Sequence, residues 1–258
     1  MVGPERTRTR RSLNQQRPFT HAQTRKIPIL TAPVSTPALP QFTSLLGFNA
    51  GYVDTVGFLA LHGLFTAHVT GNFVTLGASL VHGTSGAWAK VAALPVFCLF
   101  VFLTRLASSA LDESGKPPIR AIISAKTVLL ILAAWVMIAF GPFPDSNVWP
   151  AFWGGMLMVS AMAIQNAMQR IHIATAPPAT LMTGNTTQVM MDLADLFKGV
   201  QGDARTAAVQ RLRKMLPAIG IFAIGCALGA VAYFVIGMWC FVIPPVVSLI
   251  SMCFTPNH

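Results

Sequence analysis

The sequence predicts an all-α integral membrane protein with six transmembrane helices and two re-entrant half-helices, arranged as two inverted repeats. Three observations support this prediction: an apolar composition, the distribution of basic residues among the loops, and an internal repeat. Of the 258 residues, 53% are hydrophobic and 10% are charged, whereas soluble domains carry about 25% charged residues. The chain therefore has the composition of a membrane protein.

Six apolar tracts approach the length of about 20 residues that a helix needs to cross a bilayer. They are 42–64, 87–109, 121–140, 149–169, 216–236 and 239–254. Two further segments, 66–77 ("TAHVTGNFVTLG") and 180–191 ("TLMTGNTTQVMM"), contain a Thr-Gly-Asn triplet. Together these elements use nearly all of the chain after residue 40, so we expect no soluble domain.

The first 40 residues form a different kind of segment, rich in arginine and proline and with Glu5 as its one acidic residue. This composition predicts a disordered cytosolic tail that contacts anionic lipid. A mitochondrial targeting peptide is the weaker alternative, because the prolines interrupt an amphipathic helix. Nucleic-acid binding is not predicted, since no aromatic platform accompanies the arginines. The predicted domains are this tail (1–40), a first membrane repeat (41–141) and a second (149–254).

The basic residues indicate whether the two triplet segments cross the membrane. If both cross, the loop from Arg105 to Lys126 faces the outside, against the positive-inside rule. If each segment enters and leaves by the same face, that loop and the basic loop 198–214 both face the cytosol, and only Lys90 is misplaced. The second arrangement predicts six spans with both termini in the cytosol. Arg105 and Lys126 then lie at span ends, where long side chains reach polar surroundings. The plasma membrane is the default location.

The two halves of the membrane region resemble each other in order and spacing. "VTGNFVTLG" aligns with "MTGNTTQVM", and "GYVDTVGF" aligns with "AIQNAMQR", which places Asp54 opposite Asn166. Downstream, Pro95 matches Pro217. Three crossings per copy would invert the second copy, so the half-helices enter from opposite faces. Secondary transporters use inverted repeats with broken helices to build sites near the membrane midplane.

These motifs identify a resemblance to a known family. The runs "GYVDTVGFLALHGLFTAHVTGN", "IQNAMQRI" and "LMTGNTTQVMMDLADL" resemble the YoaK family, domain-of-unknown-function family 1275, which comprises polytopic membrane proteins of bacteria and fungi. The resemblance covers about 43–254. The basic tail is not part of the family pattern and is similar to the extensions of fungal members. The resemblance implies the fold and the membrane placement and leaves the activity open.

Each triplet has a structural interpretation. The threonine is predicted to cap the half-helix, the glycine to allow close backbone approach, and the asparagine to bond to another element in the protein interior. The residues concerned are Thr70, Gly71, Asn72, Thr183, Gly184 and Asn185. A functional interpretation adds that both helix N-termini direct amides at a shared space, where an anionic or carbonyl-bearing solute binds.

Asp54 is the acidic residue deepest in a predicted span, and such residues mark proton, ion or substrate sites. The alternative is a structural pair with Asn49, His68, Asn166 or a triplet asparagine. His68 is a candidate proton carrier or a histidine satisfied near the interface, as is His62.

Two acidic residues, Asp192 and Asp195, share one face of the second half-helix. They are expected to pair with Arg211, Arg213 or Arg170, and the alternative is that they guard a cation path.

None of the remaining sequence features predicts a catalytic site. The four cysteines are predicted to be buried free thiols, and neither a metal site nor a cofactor is expected. No HExxH, GxSxG or P-loop pattern is present, so an enzyme is not predicted. The GxxxG pairs Gly47/Gly51 and Gly225/Gly229 favour close helix packing, within the chain or in a homodimer.

Three functional hypotheses follow. The first is a transporter or channel for an unidentified small solute, with a path between the triplet segments and Asp54 as the coupling or selectivity residue. An organic acid, an ion or a small metabolite is equally allowed, and membrane lipid is the other expected partner. The second is a structural or regulatory membrane protein. The third is a lipid enzyme that uses His62, His68 or Asp54.

Overall fold

In the computed structural model, all regular secondary structure in the described part of the chain is helical. The described residues are Gly3, 40–83, 86–145, 147–180 and 182–256. The tail, with its predicted disorder and lipid contact, lies outside them apart from Gly3. The helices are α1 (Pro40–Ala60), α2 (Gly71–His82), α3 (Ala87–Glu113), α4 (Pro118–Phe140), α5 (Trp149–His172), α6 (Met182–Phe197), α7 (Gly202–Ile236), a 3₁₀ helix (Gly237–Val242) and α8 (Ile243–Met252).

Among the described residues, three helical segments are long and apolar enough to cross a membrane. They are α3, α4 and the run Gly202–Met252, which contains α7, the 3₁₀ helix and α8. Helices α1 and α5 have 21 and 24 residues, but buried polar side chains such as Asn49 and Gln165 reduce their apolar character. The regular structure of the described residues is thus entirely helical, with three segments that could cross a membrane.

Several of the predicted boundaries differ from the observed ones. Helix α7 begins at Gly202 rather than at residue 216, so most of the predicted basic loop 198–214 is helical. Helix α1 ends at Ala60 rather than at residue 64, because His62 (φ 49°) and Gly63 (φ 92°) adopt left-handed backbone conformations that a helix cannot continue through. The tract 239–254 contains only ten α-helical residues, in α8. A 3₁₀ helix precedes it, and Pro244 and Pro245 occupy the first turn of α8, where a missing N–H is tolerated.

Every major helix contact has a counterpart in the other half of the chain. Helix α1 packs against α7 as α5 packs against α3, and α4 packs against α5 as α8 packs against α1. The short helix α2 packs against α3, and α6 packs against α7 in the same way. The contacts are therefore preserved when α1, α2, α3 and α4 are exchanged for α5, α6, α7 and α8.

The glycine pairs of α1 and α7 lie at the contact between these two helices. A Cβ atom on Gly51 would lie 2.3 Å from the carbonyl oxygen of Phe222, and one on Gly225 would lie 2.3 Å from that of Phe48. The backbones thus approach more closely than any side chain allows. Of the two alternatives for these motifs, the structure uses packing within the chain, so the predicted homodimer would need another surface.

Large apolar side chains cover the outside of the helices, as expected where lipid is the solvent. Trp88, Phe102, Trp135 and Phe234 are all more than half exposed. The cysteines were expected to be buried, but Cys98 and Cys253 are exposed, Cys226 is intermediate and only Cys240 is buried. An apolar tract in a membrane protein contains lipid-facing positions as well as core positions, so residence in such a tract does not imply burial.

Candidate functional site

Asp54 holds the loop between α1 and α2 in place. Its Oδ1 atom accepts hydrogen bonds from the backbone N–H groups of Thr66 and Ala67, both at 2.8 Å. Its Oδ2 atom lies 2.6 Å from Nδ1 of His68. Asp54 is only 5% exposed, so its carboxylate supplies the acceptor that water would supply elsewhere. Of the partners considered for Asp54, the structure selects His68 together with the loop amides.

Asn166 plays the matching part in the second half. Its Nδ2 donates to Oγ1 of Thr180 over 2.8 Å, and Thr180 precedes the second triplet as Thr66 precedes the first. The two aligned residues, Asp54 and Asn166, therefore both bind the loop that leads into a half-helix. The acid makes more bonds than the amide, because it accepts through both oxygens.

The triplet asparagines bind their own loops seven residues upstream. Asn72 accepts from the N–H of Phe65 and donates to its carbonyl, both at 2.8 Å. Asn185 donates to the carbonyl of Pro178 over 3.1 Å. Both side chains are buried. We call these two arrangements the asparagine clips; each ties a half-helix to the preceding loop rather than to a distant element.

The predicted threonine caps are wrong. Thr70 precedes α2 but has helical backbone angles and makes no side-chain cap bond, and Thr183 lies inside α6, which begins at Met182. The first N–H groups of α2 bond instead to carbonyls three residues back, as in Gly71 to His68 at 2.8 Å. These amides are thus already occupied, so they do not point at a shared space as the functional interpretation required.

The glycines of the triplets differ in their surroundings. A Cβ atom on Gly71 would lie 2.8 Å from a ring carbon of Phe65, so close packing is confirmed there, against a ring rather than a backbone. Gly184 has no heavy atom within 4 Å of such a position. Thr70 and Thr183 are exposed. Of the triplet residues only the asparagines are buried, in agreement with the interior position predicted for them.

A cavity of about 620 Å³ lies between α3, α5 and the starts of both half-helices. We call it the main cavity. Five of the predicted site residues line it: His68, Thr70, Asn166, Thr183 and Gly184. Arg105 of α3 and Arg170 of α5 line it as well. The other predicted residues lie elsewhere: Asp54 and Gly71 in a neighbouring cavity, Asn72 and Asn185 in the clips, and Asp192 in an ion pair.

The neighbouring cavity, which we call the second cavity, measures about 610 Å³. It lies between α1, the start of α2 and α7, and its walls include Phe58, Phe222 and Cys226. His68 and Thr70 line both cavities. These two side chains therefore form the partition between the two spaces.

The two cavities use corresponding positions of α1 and α5. Helix α1 contributes Asp54, Thr55, Phe58 and Leu59 to the second cavity, and α5 contributes Asn166, Ala167, Arg170 and Ile171 to the main cavity. These are the same four positions when Asp54 is aligned with Asn166. The walls differ in charge, because Phe58 in one corresponds to Arg170 in the other.

Asp192 forms an ion pair with Arg211, as the preferred interpretation predicted. Nη2 of Arg211 lies 2.6 Å from Oδ1 of Asp192, and Nε lies 3.0 Å from Oδ2. Asp192 is 1% exposed, whereas the Arg211 side chain is half-exposed. The pair fastens α6 to α7.

The corresponding bond in the first half runs from Nζ of Lys90 to Oγ of Ser79 over 2.5 Å and fastens α2 to α3. Ser79 lies seven residues after Asn72, as Asp192 does after Asn185. Lys90 is 4% exposed. Its apparent misplacement in the charge pattern reflects a partner inside the protein, so the positive-inside rule does not apply to it.

Lys126 is a buried residue that sequence reasoning placed at the membrane surface. It is 1% exposed, and its Nζ donates to Oε1 of Gln165 over 2.5 Å. Nε2 of Gln165 in turn donates to the carbonyl of Leu46 over 3.0 Å. One turn along α1, the side-chain amide of Asn49 is buried without a hydrogen-bond partner among the described residues. The signal that could have indicated burial is the position of Lys126, two turns inside α4.

Comparison with known proteins supports the membrane placement. A family model described as "Protein of unknown function (DUF1275)" matches residues 42–254. The UPF0700 transmembrane protein YoaK of Bacillus subtilis (strain 168) is 29% identical over 154 residues, which is 58% of this chain. The chain spans 65% of the length of that relative. No solved structure matches the chain.

Proposed function

The chain belongs to the DUF1275 family of membrane proteins. We propose that it is a transporter or channel for a small solute. One observation carries the proposal: the main cavity of about 620 Å³ is lined by residues of both Thr-Gly-Asn segments. A volume of this size is typical of small-molecule sites. The solute path runs between the two half-helices.

The proposed architecture has six spans, two re-entrant half-helices and two inverted repeats. Three features support it: helix contacts that are preserved when the halves are exchanged, an asparagine clip in each half, and two cavities built from the same positions of α1 and α5. In an inverted repeat, corresponding cavities open toward opposite faces of the membrane.

The two cavities form the two halves of the path. Arg105 and Arg170 lie near the ends of α3 and α5 that adjoin the basic loops, so the main cavity faces the cytosol by the positive-inside rule. The second cavity faces the outside, and His68 and Thr70 separate them. We place the protein in the plasma membrane with both termini in the cytosol.

Asp54 acts on the path through His68. The His68 side chain is 34% exposed and lines both cavities, and its Nδ1 contacts Oδ2 of the buried Asp54. An imidazole that is held by a carboxylate on one nitrogen can exchange a proton with a solute or water at the other. The pair is therefore the proposed coupling element.

A solute uptake and efflux screen in proteoliposomes tests this function. We expect wild-type protein to move at least one solute, and Asp54→Asn and His68→Gln to lose that flux while remaining monodisperse. Asp195→Asn is the matched control, because Asp195 is an exposed acid on α6. Absence of flux for every solute contradicts the proposal and favours the structural or regulatory alternative. Equal flux in all four proteins contradicts the role of Asp54 and His68 in coupling.

A lipid enzyme is the second candidate, and one observation favours it. The second cavity is lined by Phe58, Leu59 and Phe222 together with His68, so an acyl chain in this cavity would meet apolar walls and the histidine. Mass spectrometry of vesicle lipids after incubation with the protein separates the candidates. Lipid turnover that requires His68 supports the enzyme, and solute flux without turnover supports the transporter.

A further inference from the structure

We propose that the main cavity binds a small organic anion, a carboxylate with an apolar body, through Arg105 and Arg170. This inference rests on the proposed function, since it names the class of solute for that path. The first observation is that the two arginines reach the same cavity from different helices, α3 and α5. Planar guanidinium groups are the side chains best suited to bind a carboxylate through paired hydrogen bonds.

The second observation is that these charges have no counter-charge in the part of the chain that the structure describes. Within the described ranges, neither Arg105 nor Arg170 forms an ion pair or a side-chain hydrogen bond, and no described acidic residue lines the main cavity. Arg211, by contrast, forms an ion pair with Asp192. Arg170 is exposed and Arg105 is half-buried, so both guanidinium groups are accessible to a solute in the cavity. A bound anion would supply the partner that the described residues do not.

The third observation is that the fold does not require the charge. Phe58 occupies the position in the second cavity that Arg170 occupies in the main cavity, and the described lining of the second cavity has no lysine or arginine. The same packing is therefore built with and without a cation. The arginines are therefore not needed to form the main cavity, and we attribute them to the ligand that it binds.

The fourth observation concerns the rest of the wall. Along α3 the same face carries Leu94, Phe97 and Val101 before it reaches Arg105, a distance of about 16 Å at the rise of an α-helix. Thr70 and Thr183 add hydroxyl donors. A solute with an anionic end and an apolar body matches this gradient, whereas a metal cation or a uniformly polar solute does not.

Equilibrium binding of labelled benzoate to the purified full chain in detergent tests the inference. Benzamide and benzylamine serve as neutral and cationic probes of the same shape. We expect benzoate to bind best, and Arg105→Gln and Arg170→Gln each to weaken its binding about tenfold, the typical loss for one charge-assisted hydrogen bond. Arg170→Lys retains part of the binding. Arg205→Gln, which removes an exposed cation of α7, leaves it unchanged.

Uptake of the same probes into phosphatidylcholine proteoliposomes separates this inference from the proposed function. Benzoate binding that depends on the arginines but occurs without uptake supports the anion site and contradicts transport. Uptake of benzylamine that is insensitive to both substitutions supports transport and overturns the anion site. Unchanged benzoate binding in a folded double variant also overturns it.

Anionic lipid is the other source of the same chemistry. Phosphatidylglycerol in the vesicles would compete with benzoate if the arginines bind a lipid headgroup. Full competition by this lipid at low mole fraction overturns the proposal of a small solute, and binding that persists in its presence supports it. Thermal unfolding of each variant without probe verifies that the substitutions have not altered the fold.

Discussion

The side-chain amide of Asn72 forms two hydrogen bonds with the backbone of Phe65, whereas that of Asn185 forms one with Pro178. The difference has a simple cause, because proline has no N–H group to donate. The two asparagines are buried, and the backbone groups that they bind are half-buried. The first clip should therefore contribute more to stability than the second.

Asn72→Ala should destabilise the protein more than Asn185→Ala. The first change leaves two half-buried backbone groups of Phe65 unpaired and the second leaves one of Pro178. Each such group costs up to about 1–3 kcal/mol. Unfolding in mixed micelles with increasing dodecyl sulfate measures both free energies. An equal or reversed order would mean that the clips do not bear on stability in this way.

Substitution of Gly51 by alanine should separate α1 from α7. The new Cβ would lie 2.3 Å from the carbonyl oxygen of Phe222, so the helices must move apart, at a cost of about 1–3 kcal/mol. Gly220→Ala on α7 is the matched control, since no heavy atom lies within 4 Å of its new Cβ. The midpoint of thermal unfolding should fall for the first variant and stay level or rise for the second. Equal midpoints would argue against close packing of the two helices.

Loss of Gln165 should be more harmful than loss of Lys126. Gln165→Leu leaves the buried Nζ of Lys126 without its acceptor, which costs about 1–3 kcal/mol for a buried polar group and more for a charged one. Lys126→Met removes the charge and keeps the volume, a change that is often neutral or stabilising. The unfolding free energies of the two variants and of the double variant provide the measurement. If Lys126→Met proved the more harmful, the charge itself would be required.

Cysteine labelling should place residues 145 and 201 on opposite faces of the membrane. In the proposed six-span arrangement the loop with Asp145 is outside and Gln201 is in the cytosol. Single cysteines at these positions, in a background without the four native cysteines, are treated with a membrane-impermeant maleimide on intact and on opened vesicles. Asp145→Cys should react in one orientation and Gln201→Cys in the other. Reaction of both from one side would refute the inverted arrangement.

The apolar composition and the motifs were sufficient to predict a helical membrane protein and its family. They also predicted that Asp192 pairs with one of three arginines, of which the structure selects Arg211, and that Gly51 and Gly225 pack closely. These features depend on short-range spacing or on strong composition signals, which survive in a single sequence. The six spans predicted from the apolar tracts exceed the three segments of the described chain that are long and apolar enough to cross a membrane. Buried polar side chains such as Asn49 and Gln165 make α1 and α5 less apolar.

The details of the site were not predictable from one sequence. Nothing local distinguishes a threonine that caps a helix from Thr70, whose neighbours already bond to carbonyls three residues back. The main cavity depends on α3 and α5 meeting, so Arg105 and Arg170 become neighbours only through the tertiary fold. Lys126 was assigned to the surface because positive charge near a span end is usually solvated, and its acceptor Gln165 is 39 residues away.

The two half-helices are supported on one side only. Among the described elements α2 packs against α3 alone and α6 against α7 alone, while Val74 and Val81 of α2 are more than 70% exposed. Each half-helix is therefore held at its N-terminal end by an asparagine clip, and lipid presses on the side that does not pack against another helix. We expect the thickness and lateral pressure of the bilayer to bend the two half-helices. The membrane would then set the distance between their N-terminal ends.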